Sequence, residues 1–367
     1  MHLSLVASLD PQCRQYGAEL LAGTHPGSVV VVHDLLDGGI VLRRIYRRGD
    51  LAERSSTQLE HGCLSCTVRL DIVPTVARLI HEGVNHAVLA LPPGVEPDLV
   101  VEALFAGLDE EFSIDNAVLS IDPTELEDQL WDRRRLTELG MTSYPRDSRT
   151  PGEFVVSALA QSDTVVPTVS LANSLNVGLA GSDSPSDSST EAIRSEIRSG
   201  VELLRELAPH AALARNSSEV RPGCFDLDEV MSRQSPGEVR VAEGVARGSF
   251  RTVRHELERP LHPDRFRLAL PELAAGSCWI RGRLWIASTP TQRIAMRGIG
   301  PRLWLENTGE WLPTLEQPGS VVALTGRKDE LVDREIFQLL EEAQITAAEA
   351  RRNPEYFNDP FGLNVSQ

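Results

Sequence analysis

Short apolar runs at regular spacing constrain the first half of this chain more than any other feature. Each run has the length of one strand, and stretches with helical periodicity separate the runs. Apolar runs without alternating polar residues are typical of parallel strands covered on both faces. The runs are 3–7, 28–33, 86–91 and 116–121. This alternation predicts an α/β fold with a mostly parallel sheet flanked by helices.

Helix signals lie between and after these runs. Asp10 directly precedes Pro11, and an acidic N-cap followed by proline at the first helical position is a common helix start. Pro74 lies inside another helical pattern and indicates a break or a late start there. We predict helices over 11–21, 68–80, 97–108 and 190–207.

The last third of the chain has a different pattern. Four of the five tryptophans follow residue 278, which indicates a separately packed unit. We predict strands over 250–257, 277–287, 292–297 and 302–306, and helices over 263–273, 329–341 and 344–352. The chain is therefore divided into a first domain over 1–232, a linker over 233–246, a smaller α+β domain over 247–353 and a tail over 354–367.

Composition excludes several classes of protein. The formal net charge of −17 argues against a general coat for nucleic acid. We expect no membrane span, because no run of about 18 apolar residues exists, and no signal peptide at the N-terminus. The five cysteines are too few and too unevenly spread for a disulfide framework, so a reducing cytoplasm is the expected location.

The segment His61-Gly62-Cys63-Leu64-Ser65-Cys66 is the strongest local chemical signal. Two thiolates separated by two residues at the start of a helix can hold one soft cation. His61 precedes Cys63 by two residues and is a candidate third ligand, while Cys13 or a distant histidine is a candidate fourth. The segment therefore predicts a zinc site formed by Cys63, Cys66 and His61.

The same spacing has two other interpretations. A lone C-x-x-C pair also occurs as two small buried cysteines or as a redox pair. Because the chain has no second C-x-x-C, a closed structural zinc knuckle is not expected. A half-open, exchangeable site fits the pattern better.

The cysteine segment and its flanks resemble a motif of the CobW family of metal-related GTPases. The family motif is a leucine, Asn-Gly-Cys, an apolar residue and Cys-Cys, followed by Thr-x-Arg. This chain has Leu59-Glu60-His61-Gly62-Cys63-Leu64-Ser65-Cys66-Thr67-Val68-Arg69. Three later segments also resemble family motifs: Arg259-Pro260-Leu261-His262-Pro263-Asp264-Arg265-Phe266, Gly282-Arg283-Leu284-Trp285-Ile286-Ala287-Ser288 and Asp359-Pro360-Phe361. The resemblance implies a P-loop-GTPase-like first domain and a CobW C-terminal-like second domain.

The chain departs from the family at each nucleotide-binding element. The family loop Gly-x-x-Gly-x-Gly-Lys-Thr-Thr corresponds to Ala7-Ser8-Leu9-Asp10-Pro11-Gln12-Cys13-Arg14-Gln15, which has neither glycine nor lysine. The single lysine of the chain is Lys328. Ala90 replaces the family's acidic residue near Mg²⁺, and residues 165–174 lack the guanine-reading Asn-Lys-x-Asp.

These departures predict that nucleotide binding and hydrolysis are lost. Without glycines the backbone cannot wrap a phosphate closely. Asp10 places a negative charge where a phosphate would lie, and Arg14, inside a helix, is not aimed at the β- and γ-phosphates. We therefore expect no catalytic residues, and neither GTP nor Mg²⁺ as a cofactor. Ser65 also replaces the middle cysteine of the metal motif.

The combination of His-Gly-Cys-x-Ser-Cys with an altered P-loop is similar to the actinobacterial branch of the family, which is linked to zinc limitation. The resemblance implies a zinc-responsive adaptor that recruits a ribosome hibernation factor to the ribosome when zinc is scarce. The ribosome and that factor are then the expected partners. Two alternatives remain open: a GTP-dependent zinc metallochaperone, and a structural or redox scaffold.

Residues 39–48 resemble an exposed strand with concentrated positive charge. Its basic residues surround Tyr46 and are a candidate contact surface for ribosomal RNA or an acidic protein. These residues are Arg43, Arg44, Arg47 and Arg48. The alternative is an edge strand that its charges protect from aggregation.

Overall fold

The computed structural model describes residues 1–60, 62–109, 111–169, 188–244, 248–311 and 318–363. The chain divides into two compact units. The first comprises Met1–Leu204 with His210–Val230, and the second comprises Arg205–Pro209 with Met231–Gln367. None of the helices in the described ranges combines the length and the apolar character that crossing a bilayer requires.

An eight-stranded sheet forms the centre of the first unit. Its strands are β1 (His2–Ala7), β2 (Val29–Leu36), β3 (Ile40–Arg47), β4 (Asp50–Gln58), β5 (His86–Ala90), β6 (Ser113–Ile121), β7 (Thr164–Pro167) and β8 (Ala212–Leu213). Their order is β4-β3-β2-β5-β1-β6-β7-β8. The six strands from β2 to β8 in this order are parallel, and β3 and β4 are antiparallel additions. The predicted mostly parallel sheet is confirmed.

Helices lie between and after these strands. They are α1 (Pro11–Thr24), α2 (Leu64–Thr67), α3 (Val73–His81), α4 (Pro97–Gly107), α5 (Leu126–Trp131), α6 (Pro151–Gln161), α7 (Ser188–Leu207) and α8 (Leu227–Gln234). Residues 68–72 join α2 to α3 as a π-helical segment. α3 begins at Val73 with Pro74 in its first turn, so the predicted late start of this α-helix is found and the predicted break is not.

The basic strand β3 lies inside the sheet. It pairs with β2 on one side and with β4 on the other, so the expectation of an edge strand is wrong. β4 was not predicted from the sequence, because its residues are mostly polar and exposed. Arg48 (φ 53°) and Gly49 (φ 86°) both have positive φ, and this is the backbone of a type I′ hairpin turn.

The second unit contains an antiparallel sheet. Its strands are β9 (Phe250–Leu257), β10 (Cys278–Leu284), β11 (Gln292–Ile299), β12 (Arg302–Glu310) and β13 (Ser320–Arg327), in the order β12-β11-β10-β13-β9. Two helices, α9 (Pro263–Leu273) and α10 (Asp333–Ala343), accompany it. The core contains the buried residues Phe266, Ile280 and Leu340. The predicted α+β class of this unit is confirmed.

One predicted helix of the second unit is wrong. Over 344–352 the structure has a single 3₁₀ turn, Glu349–Arg351. Gln344 forms a bridge to Leu261, and the Ile345 amide donates to the Pro260 carbonyl. These backbone bonds hold Gln344 and Ile345 outside a helix, and tertiary pairing therefore overrides the helical pattern at the start of the segment.

Candidate functional site

Asp10 closes the turn between β1 and α1. Its Oδ1 accepts hydrogen bonds from the backbone amides of Gln12 (2.7 Å) and Cys13 (2.8 Å). The Arg14 amide donates to the Asp10 carbonyl at 3.0 Å, and Pro11 has no N–H to offer. The first turn of α1 therefore has each of its amides used internally. A helix N-terminus binds an external anion through these same groups, so the Asp10 carboxylate occupies the anion position.

Arg14 points into the sheet. Its side chain is 3% exposed, and its Nη1 donates to the carbonyls of His33 (2.8 Å) and Leu91 (2.9 Å). Its Nη2 forms an ion pair with Asp34, which also accepts from Arg44. The guanidinium is therefore engaged within the protein and joins α1 to the ends of β2 and β5.

Little room remains beside the turn. Cys13, at the lysine position of the family loop, is buried, and burial raises the pKa of its thiol well above the ordinary value. The cavity bordered by Ser8, Asp10 and Asp122 measures about 10 Å³. A cavity of roughly that size holds at most one water.

The other two family nucleotide elements are only partly within the described residues. Ala90 ends β5 and is fully buried, so it presents no ligand atom for Mg²⁺. Thr168 and Val169 follow β7, and Thr168 Oγ1 lies 3.1 Å from Ser120 Oγ. Residues 170–174 of the segment aligned with the guanine-reading motif lie outside the described residues.

The cysteine segment begins α2. Cys63 is the N-cap residue, and its sulfur accepts a hydrogen bond from the Cys66 amide at 3.0 Å. The structure joins the two sulfurs as a disulfide. The spacing thus brings both sulfurs to one helix end, as predicted, in the oxidised state. After reduction the same geometry offers two sulfur donors, which suit zinc. His61, the predicted third ligand, lies outside the described residues.

The loop before α2 is positioned by a contact between two glycines. A Cβ on Gly62 would lie 2.5 Å from the Cα of Gly39, and Gly39 has φ 78°. The amide of Leu59 donates to the Gly39 carbonyl. On the other side, Leu64 and Cys66 pack on a small apolar cluster that includes Leu59. The backbone of the cysteine loop is therefore held from both ends.

The arginines of β3 point to both faces of the sheet. Arg43 donates to Asp71 (3.0 Å) and Thr75 (2.7 Å), and Arg47 pairs with Glu82. These groups belong to the helical segment 68–81 and its end. Arg44 faces the other way, toward Asp34, and Tyr46 packs with the core beside α1. Much of this positive charge is neutralised within the chain, and RNA contact by these residues stays a prediction.

A buried charged cluster that the sequence did not predict lies on the helix side of β2. His33 is fully buried, and its Nε2 lies 3.1 Å from Asp71 Oδ1. Burial lowers the pKa of His33. Burial acts to raise the pKa of Asp71, but His33 and Arg43 outweigh it and hold that pKa below its ordinary value. The signal in the sequence was His33-Asp34 within an otherwise apolar strand.

Comparison with known proteins agrees with the C-terminal motifs. Residues 250–344 match the cobalamin synthesis protein cobW C-terminal domain. The chain is 27% identical over 325 residues to a Mycobacterium tuberculosis protein named zinc chaperone Rv0106, across 85% of this chain and 74% of that protein. It is 22% identical over 321 residues to zinc-regulated GTPase metalloprotein activator 1 of Dictyostelium discoideum, across 78% of this chain and 63% of that protein.

Among solved structures, the zinc-bound YjiA GTPase of E. coli aligns with 94% of this chain and 99% of its own, with 14% sequence identity and a TM-score of 0.37. The domain match includes the segments that begin at Arg259 and Gly282, on which the sequence resemblance depended. This match shows that the second unit contains a cobW C-terminal domain, and the relatives align with most of the length of the chain.

Proposed function

We propose that this protein is a zinc-responsive adaptor of the CobW family that acts by binding a partner and does not turn over GTP. The observation that carries the proposal is that the Asp10 carboxylate accepts hydrogen bonds from the backbone amides of Gln12 and Cys13 at the start of α1. A phosphate at this helix end would have to displace a covalently attached anion that is already in place. It would also meet the negative charge of that anion at close range.

The positive charge that Mg²⁺ supplies in a nucleotide site is replaced as well. Mg²⁺ binds through oxygen ligands, chiefly carboxylates and the phosphates themselves. Arg14 instead supplies a fixed positive charge, and its hydrogen bonds to His33 and Leu91 are satisfied within the sheet. This arrangement supports a scaffold that stays folded without nucleotide, because its own side chains neutralise the β1–α1 region.

The zinc response is assigned to the cysteine pair. Zinc binds thiolates, so the Cys63–Cys66 disulfide must be reduced before the metal can bind. The two cysteines would hold the metal together with His61, and the metal would fix the loop against Gly39. Zinc supply and redox state would then act on the same loop, which is the physical basis for a response to zinc limitation.

The proposed partners are the ribosome and a hibernation factor, with recruitment when zinc is scarce. The relatives whose names refer to zinc support the zinc-related part of this proposal. The choice of these partners depends on the sequence resemblance.

The test is a pull-down of ribosomes and hibernation factor by the full chain, with and without a zinc chelator. We expect recovery to change with the chelator and to lose that dependence in Cys63→Ser/Cys66→Ser, whereas Cys278→Ser behaves as the parent. Recovery of neither partner under any condition contradicts the adaptor.

A GTP-dependent zinc metallochaperone is the second candidate, and the relative named zinc-regulated GTPase metalloprotein activator 1 favours it. Calorimetric titration with Mg²⁺-GTP separates the two candidates. The adaptor predicts no detectable binding at millimolar nucleotide. Micromolar binding that requires Mg²⁺ would establish the metallochaperone instead.

A further inference from the structure

Three potential metal ligands meet at the edge of the first unit's sheet that is opposite the β1–α1 turn. His86 is the first residue of β5, Asp115 lies near the start of β6, and His25 is the C-cap residue of α1. One ligand atom from each of the three lies within 4.8 Å of the others. Six residues of β1 separate this edge from the β1–α1 turn, a distance of about 20 Å, so the group is distinct from the residues treated above.

One ring nitrogen of His86 is buried without a hydrogen-bond partner among the described residues. The residue is 7% exposed. Its Nε2 lies 3.1 Å from Ser4 Oγ, while its buried Nδ1 has no hydrogen-bond partner among the described residues. An unsatisfied buried polar atom costs about 1–3 kcal/mol. A metal cation that accepts the lone pair of this nitrogen would remove the cost.

Asp115 and His25 each use one side-chain atom in a hydrogen bond, which leaves the second atom of each as a potential metal ligand. Asp115 Oδ1 accepts from the Gly223 amide at 2.7 Å, while its Oδ2 stands 3.9 Å from His86 Nε2, too far for a hydrogen bond. His25 Nδ1 lies 2.8 Å from Thr24 Oγ1. Metal-binding histidines and carboxylates are usually oriented by outer hydrogen bonds of this kind.

The two histidine rings are stacked, with centroids 4.0 Å apart and an angle of 16° between the planes. Two imidazolium ions could not stack this closely in a buried place without strong repulsion. Burial lowers the pKa of His86 to about 4. Its ring is therefore neutral at pH 7, which is the form that binds metals.

We propose that His25, His86 and Asp115 form a second binding site for a divalent transition cation of the zinc class. Two imidazole nitrogens and one carboxylate oxygen match the ligand set of three-ligand zinc sites with an open fourth position. Zinc–nitrogen bonds of about 2.0–2.1 Å place neighbouring ligand atoms roughly 3.3 Å apart. The three ligand atoms must move about 1.5 Å closer together to bind zinc. The His25 side chain can rotate because it is only half-buried. The site contains no sulfur, so it is chemically separable from Cys63 and Cys66.

The test uses the full chain with Cys63→Ser/Cys66→Ser, so that the thiol pair cannot contribute. Zinc affinity is measured by chelator competition and the ligand field by Co²⁺ absorption. We expect one zinc equivalent to remain, with Co²⁺ bands of a nitrogen- and oxygen-ligated tetrahedral site and no sulfur charge-transfer band. In this background, His25→Gln and Asp115→Asn should each weaken zinc binding by at least about 10-fold.

His81→Gln, at the exposed end of α3, is the matched control and should leave the affinity unchanged. Asp115→Asn keeps the oxygen that accepts from Gly223, and His25 is half-buried, so both variants are expected to fold. His86→Gln is added where circular dichroism shows native structure. Absence of zinc binding in the double cysteine variant overturns the proposal, and so does equal affinity in His25→Gln and His81→Gln. Neither result bears on adaptor recruitment, which is measured separately.

Discussion

Gly62 lies against Gly39 so closely that neither position has room for a side chain. A Cβ on Gly62 would stand 2.5 Å from the Cα and 3.0 Å from the amide nitrogen of Gly39. Both obstacles are backbone atoms, which cannot turn aside as a flexible side chain can. This contact fixes the position from which Cys63 starts α2, and it therefore links the shape of the β2–β3 connection to the geometry of the cysteine pair.

We expect Gly62→Ala to displace the cysteine loop and to destabilise the protein by about 1–3 kcal/mol, the usual cost of overpacking. Urea unfolding measures the loss. Gly23→Ala is the control, because a Cβ there would make only ordinary contacts with Ser217, the nearest at 3.5 Å. Because Gly23 lies within α1, its replacement should be neutral or stabilising by up to about 1 kcal/mol. Equal stability of Gly62→Ala and the parent would show that the loop is not confined.

Asp10 is the N-cap of α1, and its removal should be costly. Asp10→Ala leaves the amides of Gln12 and Cys13 without their acceptor, and the expected loss is about 1 kcal/mol in the free energy of unfolding. Asp10→Asn retains an acceptor oxygen and should lose less. If added phosphate or sulfate stabilises Asp10→Ala more than the parent, the carboxylate does occupy an anion position. No difference between them would contradict that assignment.

Arg14 should contribute far more to stability than an exposed arginine. Replacement by methionine keeps the apolar stem but leaves the carbonyls of His33 and Leu91 without a donor. We expect a loss of about 3 kcal/mol, as for one partner removed from a buried pair. Arg47→Met breaks a pair with Glu82 in which both side chains are about two-fifths exposed, and it should cost under about 1 kcal/mol. Similar losses in the two variants would refute the structural role of Arg14.

Stability should fall as the pH decreases below about 6.5, in part because of His33. The folded protein keeps this buried ring neutral, since burial lowers its pKa, whereas the unfolded chain binds a proton near pH 6.5. Asp71, Arg43 and Arg14 are the charged groups that influence it. The unfolded state therefore gains a proton that the folded state does not, at up to about 1.4 kcal/mol per pH unit.

The measurement is the free energy of unfolding from pH 5 to pH 7 for the parent and for His33→Gln. The variant should have a smaller slope over this range. The pKa of Asp71 is lowered, so its contribution to stability is lost only at lower pH, below this window. Superimposable slopes would show that His33 does not provide the pH dependence.

Four of the five cysteines should fall into two classes of reactivity. After reduction, Cys63 and Cys66 are half-buried at a helix end and should react with a thiol reagent in the native state. Cys13 and Cys278 are buried, and burial raises the pKa of the Cys278 thiol to about 11, so they should react only after unfolding. Zinc should protect the first pair. Protection that persists in excess chelator would argue against a metal on these thiols.

The regular parts of the fold were predictable because their signals are local. The apolar runs became β1, β2, β5 and β6, and Asp10 before Pro11 marked the start of α1. Two failures of prediction have a common cause, which is backbone pairing with another segment of the chain. β4 has few apolar residues, and it forms because β3 offers an edge. The segment after Ala343 has a helical pattern but does not form an α-helix, because its first two residues pair with Leu261 and Pro260.

By itself, the sequence determined the match to a cobW C-terminal domain, the sheet class and the absence of a glycine-rich phosphate loop with its lysine, because each of these depends on residue types at close spacing. Only the tertiary structure decided where the charged side chains lie. Asp10 caps the helix that it precedes, Arg14 reaches across to β2 and β5, and the arginines of β3 divide between two faces. His25, His86 and Asp115 are far apart in the chain and meet only because parallel strands bring their amino ends to one edge. Long-range neighbours of this kind arise from sheet topology, which spacing along the chain does not encode.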